Sequence, residues 1–153
     1  MPDLTAHELG QCLRMRAMCA CNQLRRASRG MTQVYDAAMG PGDLKVTQLP
    51  ILVALGSAGD LSVTALAGAL GLDRTTLTRN LGVLEKRGLV HTAEHADDAR
   101  VRVVSLTAEG SRELAAALAR WDEAQTLVEE HFGAARLQAL YDELAALAGA
   151  VSA

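Results

Sequence analysis

Residues 61–88 read Leu61-Ser-Val-Thr-Ala-Leu-Ala-Gly-Ala-Leu-Gly71, then Leu72-Asp-Arg-Thr-Thr-Leu-Thr-Arg-Asn-Leu-Gly-Val-Leu-Glu-Lys-Arg-Gly88. Ser62 can accept a hydrogen bond from a free N–H of a first helical turn, which predicts a helix over Val63–Leu70. Gly71 supplies the turn. Asp73 caps a longer helix from Arg74 to about Arg87, and Gly88 stands where a left-handed closing residue is expected. Leu66, Ala67 and Leu70 share the inner face of the first helix. Leu77, Leu81 and Leu84 do the same for the second, at i, i+4 and i+7. Two short helices joined by a glycine turn and packed through leucines make a helix–turn–helix.

This packing leaves Arg74, Thr75, Thr76, Thr78, Arg79 and Asn80 on the exposed N-terminal half of the second helix. Arginine pairs with guanine edges, asparagine with adenine, and threonine with phosphates or thymine methyls. The N-terminal end of a recognition helix is where base contacts are expected. Directly after it, Leu89–Glu94 and Val101–Leu106 alternate as two short strands around the polar tip His95–Arg100, a hairpin. Such a wing can carry a basic tip, here Arg100, into the minor groove, with Asp98 two residues earlier to hold it. Ser62 at the first helix and Lys86 near the end of the second complete the candidate contacts to double-stranded DNA.

Outside this central unit the pattern is helical. From Cys12 to Met39 the residues Leu13, Ala17, Ala20, Leu24, Ala27, Met31, Val34 and Ala38 alternate at spacings of four and three, predicting one long amphipathic helix ended by Gly40, Pro41 and Gly42. A helix from about Thr47 to Ser57 follows. After the wing, Thr107 caps a helix reaching about His131, with Trp121 expected in the core alongside Leu114, Leu118 and Val128. A last helix spans roughly Ala134 to Val151. The expected class is mainly α (α+β): a winged helix–turn–helix over 46–107, flanked by a helical dimerisation region over 1–45 and 108–153. The apolar stripes of the flanking helices exceed what the central unit can cover, and a second copy is the simplest partner.

Composition agrees. The 153 residues hold about one domain, are half apolar and only 3% aromatic, and so favour helix packing over a sandwich or barrel. The net charge of −3 is unevenly spread, with seven bases and six acids over 45–107 but three bases and eight acids over 108–153. A local basic surface on an acidic chain suits a compact DNA reader better than a non-specific coat. No apolar run approaches the roughly 20 residues of a membrane span, and the start lacks the pattern of a secretory signal. With three cysteines and no disulfide density, the cytoplasm is the expected compartment. No cofactor is called for. Gly68, Gly71, Gly82 and Gly88 are turn and packing positions rather than a phosphate loop. His7, His91, His95 and His131 are scattered, and no nucleophile–base pair stands out, which argues against an enzyme.

Taken in order, the Leu66-Ala67 helix, Thr76-Leu77-Thr78-Arg79, Leu84-Glu85-Lys86-Arg87-Gly88-Leu89-Val90, Asp97-Asp98-Ala99-Arg100 and Leu106-Thr107-Ala108-Glu109-Gly110 resemble the MarR (multiple antibiotic resistance regulator) family of winged helix–turn–helix repressors. The resemblance covers nearly the whole chain. It implies a homodimer built from the first and last two helices, a pseudo-palindromic operator, and repression relieved by an effector such as a small molecule held between the dimer helices and the winged unit.

The cysteines offer another control. Cys12 and Cys19, seven apart on a continuous helix, would lie about 10 Å apart along its axis, too far for a disulfide. Cys19 and Cys21 would point to opposite sides of that helix, so neither bridging nor joint metal binding is expected within it. Cys21 carries Arg25 at i+4, which favours a thiolate. Together with Ser28-Arg29, Met31-Thr32 and Tyr35, it is similar to the opening helix of the organic-hydroperoxide-sensing branch of the family. In that branch the cysteine is oxidised and the tyrosine hydrogen-bonds it, although Arg25 and Val46 replace further tyrosines of that branch. Tyr35 lies about 21 Å along the helix from Cys21, so the two meet only across an antiparallel dimer. Cys21 is therefore either a redox switch, with Cys12 or Cys19 as resolving thiol, or a small apolar residue of the dimer core. Two further alternatives are a metal- or metalloid-responsive regulator using these cysteines and a winged-helix module for protein–protein assembly.

Overall fold

Leucines do most of the folding work, and they concentrate in the middle of the chain. The computed structural model describes residues 4–40, 44–95, 97–98 and 100–151. Its elements are α1 (Ala6–Met18), α2 (Ala20–Ala38), α3 (Leu49–Ala58), β1 (Leu61–Ser62), α4 (Val63–Leu70), α5 (Arg74–Lys86), β2 (Val90–Glu94), β3 (Arg102–Leu106), α6 (Ala108–Phe132) and α7 (Ala134–Val151). Leu66 on α4 and Leu77, Leu81 and Leu84 on α5 are buried against Leu49, Ile51, Leu52 and Leu55 of α3 and against Val90 and Val104 of the sheet. The order β1-β3-β2 is antiparallel throughout, with Leu61 opposite Val104 and Val90 opposite Leu106. The helix–turn–helix and the hairpin therefore stand as the sequence predicts, each strand starting one residue later. The two-residue strand β1 is additional, its pairing set by a partner more than forty residues away.

The caps explain the boundaries. The Ser62 hydroxyl accepts from the Ala65 N–H at 3.1 Å, and Gly71, with φ of 61°, closes α4 in the left-handed region. Asp73 accepts the Thr76 N–H at 2.9 Å and the Thr76 hydroxyl at 2.6 Å. Both bonds favour the ionised carboxylate and hold its pKa below the ordinary value, the hydroxyl contributing most. Thr107 caps α6 by accepting from Gly110 N–H at 2.9 Å, while its own hydroxyl donates to the Gly88 carbonyl at 2.7 Å.

The N-terminal expectation needs correction. The stripe from Cys12 to Met39 is two helices, not one, and the first begins at Ala6. Cys19 sits between them in an extended conformation, φ −69° and ψ 110°. Gln23 supports the break, since its side-chain amide donates to the carbonyls of Ala17 (2.9 Å) and Arg16 (3.3 Å) at the open end of α1. At the other end, Thr5 and Glu8 form a reciprocal capping box. Of the helix-ending residues, Gly40 has φ of 78°, while Pro41 and Gly42 lie outside the described residues.

Packing divides the chain unequally. α6 lies against α2, α3 and α7, approaching closely through buried Ala117 and Ala124 and through Gly56 of α3, which faces Leu114. Neither α1 nor α2 buries a described residue, and α7 buries only Leu137. Trp121, expected in the core, is instead 38% exposed: its face of α6 points away from the leucine core, with Leu118 beside it and Val46, Pro50 and Val53 across a shallow apolar recess. No described helix is long and apolar enough to cross a membrane.

Two outcomes test this account. A Cβ on Gly110 would sit 1.9 Å from the Leu89 carbonyl oxygen, a clash with backbone, whereas one on Gly68 meets nothing within 4 Å. Gly110→Ala should destabilise the fold by about 2–3 kcal/mol, and Gly68→Ala should stabilise it by about 0.5–1 kcal/mol; chemical denaturation measures both. The folded Asp73 pKa is depressed, so its charge-dependent stabilisation is complete above the unfolded pKa and disappears as pH falls through the folded one. The thermal-stability gap between the native chain and Asp73→Asn should accordingly narrow on acidification from neutral pH to about pH 3.

Candidate nucleic-acid interface

The exposed half of α5 is built from short-range bonds that leave its cations free. The Thr78 hydroxyl donates to the Arg74 carbonyl at 2.7 Å, and the Asn80 amide donates to the Thr76 carbonyl at 3.0 Å. The Thr76 hydroxyl is engaged by Asp73. Arg74, Thr75 and Arg79 are exposed, and among the described residues no carboxylate forms an ion pair with Arg74, Arg79 or Arg100. Arginines without internal partners keep all their donors for an external acceptor.

A groove of about 500 Å³ runs between α5 and the hairpin. It brings Ser62, Arg74 and Thr78 together with Arg100 of the tip, and adds Thr64, Glu85 and Arg102, which were not among the sequence candidates. Arg74, Thr75, Thr78 and Arg79 form an adjoining surface on the outer side of α5. Lys86 belongs to neither. It stands at the far end of the helix, about 15 Å along the axis from Thr76. Arg102 was legible in principle, since it follows Arg100 by two residues and strand residues two apart share a face. Its guanidinium donates to the Thr92 carbonyl at 3.4 Å. Asp98 holds Arg100 in a different way from that expected: its carboxylate accepts the Arg100 backbone N–H at 2.9 Å, shaping the tip rather than pairing with the guanidinium. Ala96 and Ala99 of the tip lie outside the described residues.

The cysteines lie elsewhere, on the helices that precede the winged unit. Cys12 and Cys21 are exposed and Cys19 is half-buried. The geometric exclusions drawn from a continuous helix do not hold, because Cys19 is outside both helices and its Cα–Cβ direction no longer follows helical spacing. Among the described residues no group of three or more His, Cys, Asp or Glu side chains is placed to hold a metal ion. Tyr35 and Cys21 do not meet within the chain. The Tyr35 hydroxyl instead donates to Gln125 Oε1 of α6 at 2.5 Å. Its pKa is raised, chiefly by burial and then by the neighbouring Tyr141 and Glu129.

Comparison with known proteins agrees with this architecture. Residues 42–101 match the model of the MarR family. The HTH-type transcriptional regulator YhbI of Bacillus subtilis is 28% identical over 99 residues, 62% of this chain and 64% of that protein. The transcriptional regulator HosA of Escherichia coli is 37% identical over 125 residues, 82% of this chain and 87% of HosA. Among solved structures, the Mycobacterium tuberculosis transcriptional regulator MosR in complex with DNA superimposes with a TM-score of 0.79 at 36% identity, covering 88% of this chain and 96% of that one. With the winged fold in place and a relative of this identity over most of its length, the chain belongs to the MarR family of winged-helix transcriptional regulators.

Proposed function

We propose that the chain acts as a homodimeric, sequence-specific binder of double-stranded DNA in the cytoplasm, a repressor that works by occupancy and not by turnover. The observation that carries this reading is the surface of α5 and the wing, where Arg74, Arg79 and Arg100 lack internal carboxylate partners among the described residues and face outward beside a groove. A protein–protein module would present an apolar or acidic face there. That MosR, 36% identical, is described in complex with DNA supports the same reading. In it, Arg74, Thr75, Thr76, Thr78, Arg79 and Asn80 enter the major groove, Arg100 with Asp98 behind it reaches the minor groove, and Ser62 and Lys86 contact phosphates. The region 46–107 is the DNA-binding unit, and 1–45 with 108–153 the dimerisation region, whose uncovered stripes include Leu13, Leu24, Met31 and Val34.

Two recognition helices must span successive major grooves about 34 Å apart, so any rearrangement of the dimer helices weakens both half-sites together. The operator is accordingly a pseudo-palindrome, and the effector is a small molecule or an oxidant. The break at Cys19 favours the oxidant. A Cys21 thiolate attacks an organic hydroperoxide, giving a Cys21 sulfenic acid and releasing the alcohol. The thiol of Cys19, or of Cys12, then condenses with the sulfenic acid, forming a disulfide and expelling water. A bridge between Cys19 and Cys21 would lock the α1–α2 junction, and α2 packs on α6.

Fluorescence anisotropy on the DNA flanking this protein's gene tests both parts. Arg79→Ala should weaken binding by about 1–3 kcal/mol, and an unchanged Kd would remove α5 as the reading element. Stoichiometric organic hydroperoxide should lower affinity at least about tenfold, with recovery in dithiothreitol. Cys21→Ser should be insensitive to the oxidant; retained sensitivity would sink the thiol switch while leaving the DNA reading intact.

A further inference from the structure

Between α2, α6 and α7 lies a cleft of about 680 Å³, separate from the winged unit. Its walls are apolar: Leu24 and Met31 from α2, Phe132 from α6, and Leu137, Leu140 and Leu144 from α7. Size and lining are those of a small-molecule site, in which an apolar body is held by shape and a few polar groups set orientation. Those polar groups are Tyr35 and Tyr141, both on the cleft wall and both bonded to one side chain. Tyr35 donates to Gln125 Oε1 at 2.5 Å, and Gln125 Nε2 donates to the Tyr141 oxygen at 3.3 Å and to Glu129 Oε1 at 2.9 Å.

The remaining hydrogen-bond capacity specifies the guest. A phenol has one proton to donate and lone pairs to accept with. Tyr35 has spent its proton on Gln125 and keeps lone pairs; Tyr141 accepts from Gln125 and keeps its proton. One donor and one acceptor side by side match a hydroxyl, which accepts from Tyr141 and donates to Tyr35. A charged head group fits worse. Glu129, bonded to the same Gln125, repels an anion, and burying any charge against leucine walls is costly. Burial also keeps Tyr35 in its neutral form.

We propose that this cleft binds a neutral, apolar molecule carrying one hydroxyl group, a phenol or long-chain alcohol, with the hydroxyl bridging Tyr35 and Tyr141. The apolar remainder lies along Leu140 and Leu144, and the second copy of the chain closes the open side. Because α6 and α2 form the cleft, its occupant is coupled to the spacing of the winged units. That last step rests on the DNA reading above; the binding itself does not.

Isothermal titration of the reduced full-length protein with para-hexylphenol tests it, with size-exclusion chromatography and ligand-free DNA anisotropy on the same samples. Saturable binding is expected, one molecule per chain. Tyr141→Phe should weaken it about fivefold, the order of one hydrogen bond. Leu140→Trp, which fills the cleft, should abolish binding, and para-hexylbenzoate should bind at least about tenfold more weakly than the phenol. No heat with the phenol, equal affinity for the benzoate, or an unchanged affinity in Tyr141→Phe would overturn the proposal. Failure of ligand-free DNA binding would count against the regulator reading alone.

Discussion

One junction organises the molecule. Thr107, the cap of the long helix α6, donates its hydroxyl to the Gly88 carbonyl and its N–H to the Leu89 carbonyl, at 2.7 and 3.1 Å. Gly110, in the first turn of the same helix, lies so close to the Leu89 carbonyl that no side chain fits between them. Gly88 and Leu89 are in turn the residues that close α5, with Leu89 N–H bonded back to the Leu84 carbonyl at 3.0 Å. The end of the recognition helix and the start of the longest helix are thus joined backbone to backbone. Such a joint cannot be loosened by rotating a side chain, so α5 and the first turns of α6 move as one body.

This stiffness gives the peripheral helices their leverage. α6 carries, on its later turns, the contacts to α2 and α7, including the Tyr35–Gln125 bond. A change in how α2 sits against α6 is therefore transmitted along a continuous helix to the junction at Leu89 and on to α5. Close-packed elements shift between discrete arrangements more readily than they deform. The winged unit is the well-buried part, with its leucines almost wholly removed from solvent. The α1–α2 arm, with no buried described residue, is the adjustable part. Low local burial is where conformational freedom is expected. Both control modes discussed above, thiol oxidation and ligand binding, act on this outer layer.

Much of the central unit is legible in the chain itself, because its signals are local. Ser62, Asp73 and Thr107 satisfy orphan N–H groups three residues on, and Gly71 and Gly88 accept left-handed backbone, so the caps follow from residue type and spacing. The Thr5…Glu8 capping box has the same local character and was available as a signal for the true start of α1. The break at Cys19 was not, since the apolar stripe continues through it in nearly helical register. Whether a helix bends there depends on which carbonyls find another donor, and Gln23 supplies it. Trp121 misled for a related reason: an apolar stripe marks a face to be covered, without saying whether the same chain covers it.

Sequence alone thus determined the order of elements, the position of the helix–turn–helix and wing, and the cluster of arginines, threonines and asparagine on one helix face. These depend on caps, turns and periodicity acting over a few residues. Tertiary structure decided the third strand, which exists only because Leu61 meets Val104. It decided the groove that sets Arg102 beside Arg74, the redirected role of Asp98 at the wing tip, the break that frees Cys19, and the cleft where Tyr35 and Tyr141 converge on Gln125. Each of these depends on which groups are brought together once apolar faces have been buried, and burial is settled by the whole chain at once.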